Sequence, residues 1–379
     1  MDRKKKDKTI AIFSSRKGGV GKTTLGLIAA LRGAERRGDV VWFVDGDLLG
    51  TEAADLFKTP ENGSTKPPRL GLADLLLASA GGNLDFRELL KREMDPGRAG
   101  MTFVKIGDRK DMGVRILRSH AVPDGARRLD EGRENHLGEI LALDDFAQVH
   151  LIRRLGQILG HILEAEKASL IVVDNSPLRL GVGRAFEDLA RHFGQKDGPG
   201  HMKPHRSLPE DDDLTKALFK TRWVWVNVAG PDPQDVARFL EDRDECREAV
   251  KQQKTPDAPE RRWIINKVLE EDLDGSDAPI VIGDRFPETL GEDLLYFPSN
   301  QDLSAGLTLA RKYRAVSFDA SVSILRHAIR PRALDASEVI LGADRGGCVR
   351  FLVSDQGWIR ESGDLCTLLL GKPVPVDEP

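Results

Sequence analysis

One short segment constrains this chain more than any other. Residues 9–15 (TIAIFSS) are an apolar, β-branched run ending in serines, which predicts a buried parallel strand. Arg16-Lys17-Gly18-Gly19-Val20-Gly21-Lys22-Thr23-Thr24 follows, and residues 22–32 (KTTLGLIAALR) then take helical spacing. Strand, glycine-rich loop and helix in that order open an α/β unit. The glycines let backbone N–H groups turn inward with no side chain blocking an anion. The helix presents its positive N-terminal end to the same point. Lys22 is placed to reach the β- and γ-phosphates of a nucleotide, and the Thr23 hydroxyl to ligate Mg²⁺. The G-x-x-x-x-G-K-[ST] pattern departs at one position, where Arg16 stands for the first glycine.

The rest of the chain repeats the α/β alternation. Strands are expected over residues 39–44 (DVVWFV), 113–118 (GVRILR), 169–174 (SLIVVD), 222–228 (RWVWVNV), 262–267 (RWIINK) and 279–282. Helices are expected over residues 70–80, 144–167, 182–193 and 234–252, with Asp144 or Asp145 as the N-cap of the second. Residues 58–69 read as a loop, and 81–112 are charged and ambiguous between classes. The alternation predicts an α/β fold, a mostly parallel sheet with helices on both faces. Residues 1–330 form that domain, with an exposed insertion at 194–213 (GQKDGPGHMKPHRSLPEDDD). Residues 331–379 read as a small β-rich appendage and an acidic tail.

Carboxylates end two of these strands. Asp174 follows four apolar residues, an arrangement that holds Mg²⁺ directly or through water. Asp45 and Asp47 close the second strand, where open α/β sheets place their ligands.

The run from Lys17 to Thr24 (KGGVGKTT) resembles the deviant Walker A motif of the ParA/MinD group of P-loop ATPases. The likeness extends by order and spacing over residues 8–315. It implies ATP and Mg²⁺ as cofactors, held by Gly18, Gly19, Val20, Gly21, Lys22, Thr23 and Thr24. It implies catalytic roles for Lys17, Lys22 and Asp47. Lys17 would be a second, signature lysine that reaches the phosphates of a partner subunit in an ATP-dependent homodimer, a charge clamp supplied in trans. Asp47 would orient the attacking water, and Asp45 would support the water shell of a metal bound at Thr23 and Asp174. Asn266 would read the adenine edge. Leu269 stands where a guanine reader of the N-K-x-D type needs aspartate, which favours ATP over GTP. Asn175-Ser176-Pro177 resembles the family's second switch loop with the proline displaced by one, and Phe297-Pro298 its segment beside the base. The implied activity is a slow, partner-stimulated ATPase that positions a cargo or regulates a protein partner.

Two other readings keep the same loop. One is a metabolic ligase that phosphorylates a small carboxylate; such enzymes usually lack the signature lysine. The other is a scaffold that binds nucleotide without hydrolysing it.

Composition narrows the partners. Net charge is −4, from 57 basic and 61 acidic residues, which excludes a histone-like chain. Cys246, Cys348 and Cys366 form no C-x-x-C pair, which argues against a structural zinc site, a disulfide framework or an iron–sulfur cluster. The scarce, unpaired cysteines favour a reducing cytoplasm, and no apolar run is long enough to span a bilayer. Nonspecific DNA is a candidate partner through Arg311, Lys312, Arg314, Arg326, His327, Arg330 and Arg332, with Arg3 to Lys6 as a second basic run.

Overall fold

The computed structural model describes residues 8–48, 70–77, 86–94, 102–105, 112–119, 145–176, 181–194, 213–253, 259–268, 273–274, 278–279, 294–298 and 369–370. The basic residues at 311–332, the run Arg3 to Lys6, Pro177, residues 195–212 of the insertion and almost all of 331–379 lie outside the described residues. Leu369 and Leu370, at the end of the run read as β, have helical backbone.

The strands are β1 (Thr9–Ser14), β2 (Val40–Gly46), β3 (Thr102–Lys105), β4 (Gly113–Leu117), β5 (Leu170–Asn175), β6 (Arg222–Ala229), β7 (Glu260–Val268), β8 (Leu273–Asp274), β9 (Ala278–Pro279) and β10 (Leu294–Pro298). The helices are α1 (Lys22–Arg37), α2 (Leu72–Leu77), α3 (Phe86–Met94), α4 (Asp145–Glu164), α5 (Val182–Phe193), α6 (Asp213–Phe219) and α7 (Pro233–Gln253). Eight strands form one sheet in the order β10-β7-β6-β1-β5-β2-β4-β3. All neighbours pair in parallel except β3, which runs antiparallel to β4 at the edge. A separate two-residue ladder joins β8 to β9.

The central strands are apolar on both sides because both sides are covered. Ile10, Ile12, Ile171, Val173, Trp223 and Trp225 join one core with residues of α2 to α6. The alternate residues Phe13, Phe43 and Val172 face α1, where a Cβ on Gly26 would lie 3.1 Å from Phe43. Each fully buried aliphatic or aromatic side chain contributes about 1.5–3 kcal/mol, so this double-sided burial fixes the sheet more firmly than helix propensity could. A smaller cluster packs Val236, Phe239 and Leu240 of α7 on Ala229, Trp263 and Ile265.

Several elements differ from the sequence expectation. Residues 81–112 hold α3 and β3. The buried residues of α3, Phe86, Leu89, Leu90 and Met94, keep helical spacing inside a highly charged segment. β10 joins the sheet edge beside β7, with Tyr296 opposite Ile265. Of the strand expected at 279–282, only Pro279 is described, within the short ladder.

Among the described residues no helix is long and apolar enough to cross a membrane.

The contact between α4 and α6 is a close backbone approach. A Cβ on Gly160 would lie 2.7 Å from Leu214 Cβ and 3.0 Å from the Leu214 carbonyl oxygen. Gly160→Val is expected to cost roughly 2–3 kcal/mol by overpacking, read as a lower urea midpoint. An unchanged midpoint would mean that the helices do not meet at this glycine.

Candidate nucleotide site

β1 sits between β5 and β6, and the chain winds outward from it in both directions. The crevice beyond the carboxyl ends of strands at such a switch point is where open α/β sheets bind ligands. Residues 15–21 turn there, between β1 and α1. Gly19 has φ 76° and Gly21 φ 90°, left-handed conformations that disfavour any side chain. A Cβ on Gly18 or Gly19 would meet nothing within 4 Å, so this side of the loop is open. Ser15 Oγ donates to the Lys17 carbonyl at 2.8 Å and tightens the turn.

Lys22, Thr23 and Thr24 start α1 below this opening. Lys22 is buried, its side chain 6% exposed. Its Nζ lies 3.3 Å from Asp174 Oδ1 and 3.5 Å from Asp47 Oδ2. Thr23 Oγ1 donates to Asp174 Oδ2 at 2.5 Å. Asp45 and Asp174 are register partners on adjacent strands, and both are fully buried. The residues expected to hold phosphate and metal are therefore brought together around one buried ammonium.

The donor set is a hydroxyl and carboxylate oxygens, which suits a hard cation. Among the described residues no group of three or more His, Cys, Asp or Glu could hold a metal alone. A hydroxyl with one or two carboxylates would suit Mg²⁺, which usually leaves its remaining positions to phosphates and water.

Lys17 and Arg16 lie apart from this cluster. Lys17 is exposed and its Nζ donates to Asp235 Oδ2 at 2.6 Å, in the first turn of α7. That hydrogen bond, with the carboxylate's charge, raises the lysine's pKa above the ordinary value. Arg16 Nη2 meets Asp242 Oδ1 one helical turn pair further on, at 2.5 Å. Asn266, expected at the base, donates its Nδ2 to the Val20 carbonyl at 2.7 Å. At the last residue of β5, Asn175 Nδ2 donates to the Gly183 carbonyl at 3.3 Å and ties the strand end to α5.

Sequence reasoning missed Asp235, Asp242 and Lys267. Asp235 gave no signal, since a carboxylate in the first turn of a helix is ordinary capping chemistry, and Asp242 reads as one more charge on an exposed helical face. Lys267 was visible in an Asn-Lys pair ending a strand, but its Nζ reaches the Gly19 carbonyl at 2.7 Å only through the fold.

The motif, its place after β1 and the parallel sheet decide the fold. It is an α/β fold of the P-loop kind, a mostly parallel sheet with helices on both faces and the glycine-rich loop between β1 and α1.

No family model matches the chain, and no curated protein matches it. Among solved structures it is similar to a ParA family ATPase from Chlorobium tepidum, at 16% identity and TM-score 0.43, covering 86% of this chain and 100% of that one. A putative plasmid partition protein from Borrelia burgdorferi bound to AMPPNP is similar at 12% identity and TM-score 0.47, covering 96% and 98%. Cobyrinic acid a,c-diamide synthase from Mycobacterium smegmatis, with an ATP analogue and magnesium, is similar at 15% identity and TM-score 0.39, covering 86% and 97%. Likeness at this level carries no activity, ligand or partner over to this chain.

Asp174 offers a test of the cluster. Burial pushes its carboxyl above the ordinary range, while Lys22 and the Thr23 hydroxyl pull it back and Asp47 adds to the rise. The folded chain thus binds a proton here more readily than the unfolded chain does. The group's contribution to stability is present at low pH and lost as pH rises through the raised value. Asp174→Asn removes that ionisation cost and is expected to stabilise the protein at pH 7. The gain should shrink on acidification. Urea unfolding at pH 5 and pH 7 measures it. A destabilised variant at pH 7 would mean that attraction to Lys22 outweighs burial.

Proposed function

We propose that the chain is an ATP-binding and ATP-hydrolysing dimerisation switch of the ParA/MinD kind. The observation that carries this reading is the buried Lys22 ammonium between Asp47 and Asp174, directly behind an open glycine loop. A buried cation flanked by carboxylates and facing backbone amides suits the tail of a nucleoside triphosphate.

Each residue then has a role set by its place. The amides of residues 18–24 bind the phosphates, and Lys22 turns from its carboxylates to the β- and γ-phosphate oxygens. Thr23 and Asp174 would hold Mg²⁺, with Asp45 behind them. When bound, that ion neutralises charge developing on the phosphate oxygens. Asp47 accepts a hydrogen bond from a water and aims it at the γ-phosphorus. The water oxygen bonds to phosphorus as the bond to the ADP oxygen breaks, one water proton is released to solvent, and the products are ADP, inorganic phosphate and that proton. Asn266 retains its Oδ1 as an acceptor for the exocyclic amine of adenine.

Lys17 is the trans residue in this reading, and its bond to Asp235 must break before it reaches a partner subunit's phosphates. The pair is exposed, so its hold is weak. Cycling between paired and unpaired subunits would position a cargo or regulate a protein partner. Nonspecific DNA is the candidate surface for residues 311–332.

The test is light scattering with a non-hydrolysable ATP analogue, alongside phosphate release from ATP. The wild type should double in mass with the analogue. Lys22→Ala should abolish nucleotide binding and turnover, and Lys17→Ala should bind nucleotide but stay monomeric. Asp235→Ala should lower the analogue concentration needed for association, within about fivefold because an exposed pair is easily broken. Normal ATP turnover by Lys22→Ala would end this reading.

A further inference from the structure

We propose that Lys267, together with Asn266, sets the shape of the phosphate loop as a positioning pair that never touches the reacting phosphate. The inference rests on the nucleotide-binding reading above and assigns the base end of that site a second task.

Two consecutive side chains at the end of β7 bond two consecutive carbonyls of the loop. Asn266 Nδ2 donates to the Val20 oxygen, and Lys267 Nζ to the Gly19 oxygen, each at 2.7 Å. Across a planar trans peptide the carbonyl and the following N–H point in opposite directions. Drawing the oxygens of Gly19 and Val20 toward β7 therefore turns the N–H groups of Val20 and Gly21 the other way, toward the open side of the loop. An ammonium on the Gly19 carbonyl also polarises that peptide and strengthens its N–H as a donor.

Two independent features mark this contact as built. Lys267 has φ 65°, a left-handed backbone that non-glycine residues adopt at a cost and that persists where the surroundings over-determine it. A Cβ on Gly21 would lie 2.4 Å from Asn266 Nδ2 and 3.7 Å from Lys267 Cε. Gly21 must therefore be glycine for two reasons, its own φ of 90° and the side chains seated against it. The strand end and the loop are fitted to each other, and the base-facing asparagine and the phosphate-facing amides move as one unit.

The experiment measures MgATP and MgADP affinity by calorimetry for Lys267→Met, Lys267→Gly and Lys267→Arg, with Lys22→Ala as reference and the melting temperature of each nucleotide-free protein. Lys267→Gly relieves the left-handed backbone and so keeps the test valid if the methionine variant folds poorly. Both the Met and Gly variants are expected to lose roughly tenfold in affinity through lost preorganisation of the loop. Lys267→Arg, which can still donate to the carbonyl, should recover most of it. A merely structural lysine would not give loss in the more relaxed glycine variant together with recovery by arginine. Binding within twofold of wild type in a folded Met or Gly variant, while Lys22→Ala loses binding, overturns this inference and leaves the nucleotide site standing. Failure of arginine to restore affinity also overturns it. Unimpaired binding by Lys22→Ala would overturn the inference and the site together.

Discussion

The structure depends on how one buried positive charge is compensated. The Lys22 ammonium sits below the surface with Asp174 at 3.3 Å and Asp47 at 3.5 Å. Removing a charge from water costs several kcal/mol unless partners are well placed. The charge and its two partners come from three strand ends, since β1 leads into the loop and Lys22, β2 into Asp47, and β5 carries Asp174 next to its last residue. The parallel register that aligns Asp45 with Asp174 also sets these carboxylates around α1. Site and sheet are thus one electrostatic construction: shifting the sheet register would strand a charge, and removing Lys22 would strand carboxylates.

On the proposed reading, the same construction suits a triphosphate as ligand. A neutral ligand would leave Lys22 where it is, whereas a polyanion offers it a new partner and releases Asp47 and Asp174 for water and metal. The loop is prepared for this exchange by carbonyl tethers from Ser15, Asn266 and Lys267. Such preorganisation matters because amides already aimed at an anion need not be ordered when it arrives. Lys17 and Arg16 are handled differently, as exposed cations resting on α7 through weak contacts. In the proposed dimer Lys17 would have to leave its own subunit's surface, and a contact of little strength suits that.

Much of this was legible in the residues. The central strands are continuous apolar runs because both faces of a parallel sheet are covered, and Leu170–Asn175 and Arg222–Ala229 could be placed within a residue or two. Lys22, Thr23, Asp47 and Asp174 stood out as candidates from the loop pattern, the strand ends and the family resemblance, and the fold brings their side chains close together. Elements at the sheet edges were harder to see. In α3 the charged residues between Phe86 and Met94 mask the helical spacing of its apolar face, and β10 is a short strand whose place depends on pairing with β7. Contacts that join distant parts of the chain gave no local sign. Lys267 to Gly19 and Lys17 to Asp235 span more than two hundred positions, and neither residue pattern implies the other.

The central claim is that the anionic tail of ATP replaces carboxylates as the partner of Lys22. A crystal structure with Mg²⁺ and a non-hydrolysable ATP analogue tests it most directly. The account predicts the β- and γ-phosphates against the amides of residues 18–24, with Lys22 Nζ moved onto their oxygens and the metal between Thr23 and the nucleotide. An analogue bound elsewhere, with Lys22 still resting between Asp47 and Asp174, would contradict it.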